Sequence, residues 1–105
     1  MSSGRLLSAL LAGLVLLASP ALAEEYVIVI DAMKFAAPPD GLKENDVIVW
    51  RNEDIFRHTA TDRGGSFDID LEPGAEARLT LAATGTFEVY CRYHPGMTLD
   101  LVVEP

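Results

Sequence analysis

From residue 24 onward, short apolar stretches alternate with clusters of turn-forming residues. The clearest stretch, residues 66–71, alternates strictly between polar and apolar side chains, which is typical of a strand with one exposed face. Other stretches are continuous and rich in β-branched residues, as in strands that pack on both sides. The runs that predict strands are residues 26–30, 47–50, 66–71, 75–81, 87–91 and 98–103.

Proline and glycine mark the breaks between these runs. Residues 36–41 contain two prolines and a glycine, and Glu72-Pro73-Gly74 has the order of a type II turn. Residues 61–65 and 84–86 are further turn signals. With no helix-period segment among these runs, the pattern predicts an all-β fold of about seven short strands, arranged as a Greek-key β-sandwich or small barrel.

The first 23 residues have the features of a secretory leader. Arg5 precedes a mainly apolar run over residues 6–18, and Ala21-Leu22-Ala23 is a small-x-small cleavage signal. We therefore expect a Sec-type signal peptide over residues 1–23 and one mature domain over residues 24–105, located in the periplasm or otherwise exported. The apolar run is shorter than the roughly 20 residues that span a bilayer, so we expect no stable membrane span after processing. The alternative is an uncleaved anchor.

The charge balance restricts the partners. The chain has a net charge of −8, and the leader contributes only Arg5, so the mature domain carries a net charge of about −9. This acidity argues against nucleic acid as a partner, because binding proteins neutralise its phosphates with Lys and Arg. The acidity suits electrostatic steering toward a locally positive protein, although it could equally serve solubility alone. We expect the domain to be a monomer.

The candidate chemistry lies in Tyr90-Cys91-Arg92-Tyr93-His94-Pro95-Gly96-Met97. This segment holds the only cysteine, one of the two histidines and a methionine, spaced Cys-x-x-His-x-x-Met. A thiolate, two imidazoles and a weak axial thioether form the donor set of blue copper sites. The second imidazole would come from His58, the only other histidine. A single cysteine in an exported protein also needs protection from oxidation, which metal ligation provides.

Other interpretations of these residues remain open. A zinc site could use two histidines and a cysteine, but it would need a fourth hard or thiolate ligand. A cysteine nucleophile with a histidine base is possible, although no activating helix terminus is apparent near Cys91. Cys91 and Met97 could also be core residues of a β-sandwich interaction module.

Residues 87–97, followed by Leu101-Val102-Val103, resemble the closing segment of the cupredoxins, the small blue copper proteins. The short ligand loop is most similar to that of amicyanin. Residues 33–35, 46–52 and 58–59 resemble amicyanin-like and pseudoazurin-like strands in the same order. The resemblance implies a cupredoxin-like domain with one Cu(I)/Cu(II) ion held by four ligands: His58, Cys91, His94 and axial Met97.

The same resemblance implies a function. A cupredoxin shuttles single electrons between redox proteins, for which a c-type cytochrome or a dehydrogenase is a candidate partner, and it is not an enzyme. Electrons are expected to pass through the ring edge of His94, which Pro95 and Gly96 would partly surround. The alternative is a periplasmic copper delivery or storage protein that uses the same ligands.

Three residues depart from the family pattern. Tyr93 and Arg57 occupy positions where related chains often have proline, and Thr59 occupies one where amicyanin and plastocyanin have asparagine. Unlike proline, Tyr93 has an amide hydrogen that could reach the Cys91 sulfur. Such a donor would stabilise the reduced state.

Overall fold

The computed structural model describes residues 23–105, so the predicted signal peptide, residues 1–23, lies outside the described residues except for Ala23. The described part contains nine strands and no helix long and apolar enough to cross a membrane. The strands are β1 (Glu25–Asp31), β2 (Lys34–Phe35), β3 (Leu42–Lys43), β4 (Val47–Asn52), β5 (His58–Asp62), β6 (Asp68–Leu71), β7 (Glu76–Thr80), β8 (Gly85–Tyr90) and β9 (Thr98–Glu104).

The nine strands form two sheets. One sheet has the order β2-β1-β4-β7, and the other has the order β3-β9-β8-β5-β6. Most neighbours are antiparallel, but β1 pairs with β4 and β3 pairs with β9 in parallel. The predicted all-β sandwich is therefore confirmed, with two parallel pairs that the turn pattern did not indicate.

The strand count exceeds the prediction of about seven, since β2, β3 and β5 were not among the predicted runs and β2 and β3 have only two residues each. Two residues are too few to show an alternating pattern. β2 folds back on β1 through a tight turn in which Ala32 and Met33 have positive φ angles of 50° and 64°. Pro38 and Pro39, which lack an amide hydrogen for strand pairing, lie in the connection between β2 in one sheet and β3 in the other.

The core lies between the two sheets, and the strands contribute alternate side chains to it. In β9, Leu99, Leu101 and Val103 point inward, while the residues between them are exposed. Trp50 is fully buried and packs edge-on against Phe35. The turn before β7 is also as predicted, since the Ala75 amide donates to the Glu72 carbonyl over 2.9 Å and Gly74 has a φ of 81°.

One end of the sandwich collects the residues singled out in the sequence. β5 runs antiparallel to β8 with Thr61 opposite Tyr90. This register brings His58, the first residue of β5, next to the loop that starts at Cys91. β4 ends nearby at Asn52, whose side-chain amide donates to the Phe56 carbonyl, so the β4–β5 loop covers the same end.

Candidate metal centre

Three of the predicted ligands lie together. Cys91, immediately after β8, and His58, at the start of β5, are both fully buried, and His94 is half-buried on the following loop. The Cys91 Sγ is 3.7 Å from the Nδ1 atom of each histidine. One donor atom from each of the three residues lies within 4.8 Å of the others.

These distances fit a metal ion bound between the three atoms. Thiolate sulfur binds a first-row metal such as zinc at about 2.3 Å and imidazole nitrogen at about 2.0 Å, so an angle of 120° separates the two donors by about 3.7 Å. Within residues 23–105 no carboxylate belongs to the group. The hard fourth ligand that a structural zinc site would require is thus not supplied by an Asp or Glu of the described chain.

The ligand loop is closed by its own backbone. The Met97 amide donates to the His94 carbonyl over 2.8 Å, which makes a β-turn with Pro95 and Gly96 at its centre. The Cys91 amide donates to the Met97 carbonyl over 3.2 Å. Met97 itself is only 6% exposed. The loop therefore holds the candidate axial ligand at the same end of the sandwich as the other three.

The sulfur of Cys91 accepts a hydrogen bond from the backbone, but the donor is not the one we predicted. It is the amide of Thr59, at 3.3 Å, and within the described chain Tyr93 makes no such bond. The side chain of Tyr93 instead lies against Arg57 and Arg92, whose guanidinium carbons are 5.3 and 5.5 Å from its ring centre. Contrary to our interpretation, the sulfur donor within the described chain is therefore the Thr59 amide and not the Tyr93 amide.

Thr59 also joins the two ligand segments through its side chain. The Arg92 amide donates to Thr59 Oγ1 over 2.8 Å, and Thr59 Oγ1 is 2.9 Å from Thr61 Oγ1. Thr61 donates in turn to the Asp68 carboxylate, which also accepts from the Arg92 guanidinium. Because Thr61 donates to Asp68, the Thr59 hydroxyl donates to Thr61. These hydrogen bonds form a closed ring that starts and ends on Arg92. Thr59 thus links the two ligand segments at a position where related chains have asparagine.

A buried carboxylate lies behind His58, and the sequence interpretation missed it. Asp54 Oδ2 is 2.9 Å from His58 Nε2. This hydrogen bond and that from the Met33 amide hold the pKa of the Asp54 carboxyl below its ordinary value. Its only distinguishing feature in the sequence is its position four residues before His58, which does not set it apart from the other acidic residues of the chain.

The surface next to His94 is apolar. Phe56 is 49% exposed, and its ring centre is 6.2 Å from that of His94. The neighbouring Ile55 is 80% exposed. Pro95 and Gly96 are also exposed, as the sequence suggested, but the larger apolar side chains come from the β4–β5 loop.

A two-sheet sandwich of this connectivity, with one cysteine, two histidines and a methionine at one end, has the fold and donor set of a cupredoxin, and that donor set is the one that holds a single copper ion. Solved structures of amicyanin, a cupredoxin, are similar to this chain. The amicyanin of Paracoccus versutus is 25% identical, with a TM-score of 0.64 over 82% of this chain and 85% of that one.

Two amicyanin variants are similar to the same degree. A reduced form is 26% identical, with a TM-score of 0.65 over 78% of this chain and 82% of that one. A reduced Cu(I) form at pH 4 is also 26% identical, with a TM-score of 0.64 over 82% of this chain and 86% of that one. No protein-family description and no curated protein sequence matches the chain.

Proposed function

We propose that this protein is an exported blue copper protein that carries single electrons between redox partner proteins, with copper bound by His58, Cys91, His94 and axial Met97. The observation that carries the proposal is the position of Cys91 Sγ, 3.7 Å from Nδ1 of both histidines. Bound copper would supply a one-electron Cu(I)/Cu(II) couple. No substrate is turned over.

The chain's own residues support this role by limiting movement at the centre. His58 belongs to a strand that is buried along its whole length, and Cys91 directly follows the paired strand β8. The Thr59 amide fixes the Cys91 sulfur from one side, and the Arg92–Thr59 hydrogen bond fixes the backbone next to it. Ligands that stay in place when the charge changes favour rapid electron transfer.

The burial of the donor residues favours an electron carrier over the alternative, a copper delivery or storage protein. Delivery requires ligands that release the ion readily to an acceptor. Here two of the three clustered donors are fully buried on strands or strand ends. Fixed, buried donors favour a resident ion, so we place electron transfer first.

The surface for partner docking is proposed to be the apolar area around His94. The Phe56 side chain lies beside the half-buried His94 imidazole, which is the most exposed of the three clustered ligands, and Ile55, the residue before Phe56, is largely exposed. An exposed apolar area of this kind is typical of a protein contact site. A partner that covers it would approach the metal through the His94 ring.

Copper titration tests the site. Adding Cu(II) to the purified mature domain should give one equivalent of intense blue thiolate-to-copper absorption. A Cys91→Ser variant, which keeps both histidines, should bind copper without that absorption. Titration of the native protein without a blue product would contradict the copper assignment.

Electron self-exchange tests the carrier function without a known partner. In a mixture of oxidised and reduced protein, NMR line broadening should report rapid exchange. A Phe56→Glu variant should exchange about tenfold more slowly, which corresponds to a loss of about 1.4 kcal/mol in the encounter. A blue protein with a poorly reversible couple and ready loss of copper to a chelator would instead favour copper delivery.

A further inference from the structure

We propose that Asp54 is a positioning residue of the metal centre. It holds the His58 imidazole with Nδ1 toward Cys91, and its negative charge favours the oxidised state of bound copper. The effect of the charge on copper rests on the proposed function, whereas the orientation of the His58 ring applies to the metal-free chain as well.

The geometry at His58 determines which nitrogen carries the proton. Asp54 Oδ2 is 2.9 Å from His58 Nε2, and both side chains are buried, with exposed fractions of 7% and 0%. An ionised carboxylate can only accept hydrogen bonds. The Nε2 atom must therefore carry the hydrogen, which leaves the lone pair of a neutral ring on Nδ1, the atom that faces Cys91 Sγ. Hydrogen bonds of this kind fix the orientation of metal-binding histidines.

Asp54 is itself fixed from three directions. Its Oδ2 also accepts from the Met33 amide over 2.9 Å, and its Oδ1 accepts from the Ile55 amide over 2.8 Å. Its own amide donates to Asn52 Oδ1 over 2.9 Å. Met33 lies in the β1–β2 turn, in the left-handed conformation that non-glycine residues rarely adopt. Hydrogen bonds to the β1–β2 turn and to the end of β4 therefore fix the Asp54 carboxylate in place. The carboxylate in turn fixes the His58 imidazole.

The charge of Asp54 acts on the redox state. The Cys91 thiolate and the Asp54 carboxylate together carry two negative charges, which balance a doubly charged ion. After reduction, one negative charge remains without a counter-charge in a buried site, and such a charge is unfavourable. A neutral residue at position 54 removes this penalty. The reduced metal centre should then become more stable relative to the oxidised one.

Two other buried aspartates provide matched controls. Asp46 is 6% exposed and accepts from the amides of Glu24 and Lys43 at the start of β4, away from the metal centre. Asp62 is 6% exposed and accepts from Gly64 and Ser66 at the other end of β5. Replacing either one should perturb folding to a comparable degree without touching His58.

The first test uses metal-free protein. Long-range nitrogen–proton NMR correlations should show His58 with its hydrogen on Nε2 and slow exchange of that hydrogen with solvent. Asp54→Ala should lose the slow exchange and mix the two tautomers, whereas Asp46→Asn and Asp62→Asn should leave the His58 signals unchanged. A His58 hydrogen on Nδ1 in the native protein, or signals that Asp54→Ala does not change, would overturn the positioning role. This result does not depend on copper binding.

The second test uses copper-loaded protein. Asp54→Asn keeps an acceptor for His58 Nε2 but removes the charge, and it keeps the size of the side chain. We expect its affinity for Cu(II) to fall about tenfold relative to Cu(I), which is an upward shift of about 59 mV in a one-electron couple. Asp46→Asn should not shift the potential. An unchanged or lower potential in Asp54→Asn would overturn the charge effect, while a native chain that binds no copper would overturn the proposed function and leave the NMR result intact.

Discussion

The two histidines beside Cys91 are held in opposite ways. His58 is fully buried, begins a fully buried strand and has its outer nitrogen hydrogen-bonded to a carboxylate. His94 is half-buried on a short loop, and its ring lies beside the exposed Phe56. The comparison suggests a division of work, in which the β5 side fixes the metal centre and the loop side presents it to a partner.

Removing each imidazole in turn should have the largest effect and test this division directly. His58→Gly and His94→Gly should both lose the blue absorption in the presence of copper. Added imidazole should restore it in His94→Gly, because that ring is partly open to solvent, and should not restore it in His58→Gly, whose cavity is closed. Titration of the two variants with imidazole, followed by absorption, measures the difference. Equal recovery in both variants would contradict the proposed difference between the His58 and His94 sides.

Asn52→Ala should have the next largest effect, because Asn52 organises the loop in front of His58. Its fully buried side-chain amide donates to the carbonyls of Phe56 and Leu71 over 2.8 and 3.0 Å, and its Oδ1 accepts from Asp54. Leaving these buried groups without partners should cost about 3 kcal/mol. Urea unfolding of the metal-free protein measures the loss.

Asn45→Gly is the matched control for Asn52→Ala. Asn45 is exposed, lies before β4 instead of at its end, and has a φ of 73° that glycine adopts without strain. We expect its unfolding free energy to stay within about 0.5 kcal/mol of the native value. Similar losses in the two variants would show that the β4–β5 loop is no better fixed than an ordinary turn.

Much of this arrangement could be predicted from the sequence, for reasons that differ between its parts. The inward faces of β6, β7 and β9 follow from a two-residue period, and the ligands follow from the rarity of cysteine and histidine in the chain. Asp54 could not be identified in that way, because one aspartate among 16 acidic residues carries no pattern. Its role depends on a backbone bend and on an amide from Met33, 21 residues earlier.

The sulfur donor shows the same limit. Sequence spacing placed the Tyr93 amide near Cys91 but could not show which way the loop turns, and the donor is Thr59 on the adjacent segment. The parallel pairing of β1 with β4 was hidden for a related reason, since hydrophobic periodicity identifies strands and not their neighbours. The metal ligands could be predicted because they depend on rare residue types. The sulfur donor and the strand pairing could not, because they depend on how two distant backbone segments meet.

Thr59→Val should have a smaller effect, at the junction between the two regions. The substitution keeps the shape of the side chain and the amide that binds Cys91 Sγ, but it removes the acceptor of the Arg92 amide and the donor to Thr61. We expect a loss of about 1.5 kcal/mol in unfolding free energy, together with a shifted blue absorption band as the Cys91 backbone loosens. Thr59→Ser should restore both. An unshifted band in Thr59→Val would mean that the hydrogen-bonded ring stabilises the fold without positioning the sulfur.

The smallest effect is expected on the loop side, from Gly96→Ala. Gly96 does not have a positive φ, and a β-carbon built on it has no atom within 4 Å, so alanine fits both the backbone and the space. Because alanine restricts the unfolded chain more than glycine, the variant should gain about 0.5 kcal/mol in unfolding free energy and keep its blue absorption. Chemical denaturation of the metal-free and copper-loaded protein measures both properties. A loss of stability or of colour would show that the turn around Pro95 is as tightly specified as the His58 side, and the division between a fixing and a presenting half of the site would then have to be abandoned.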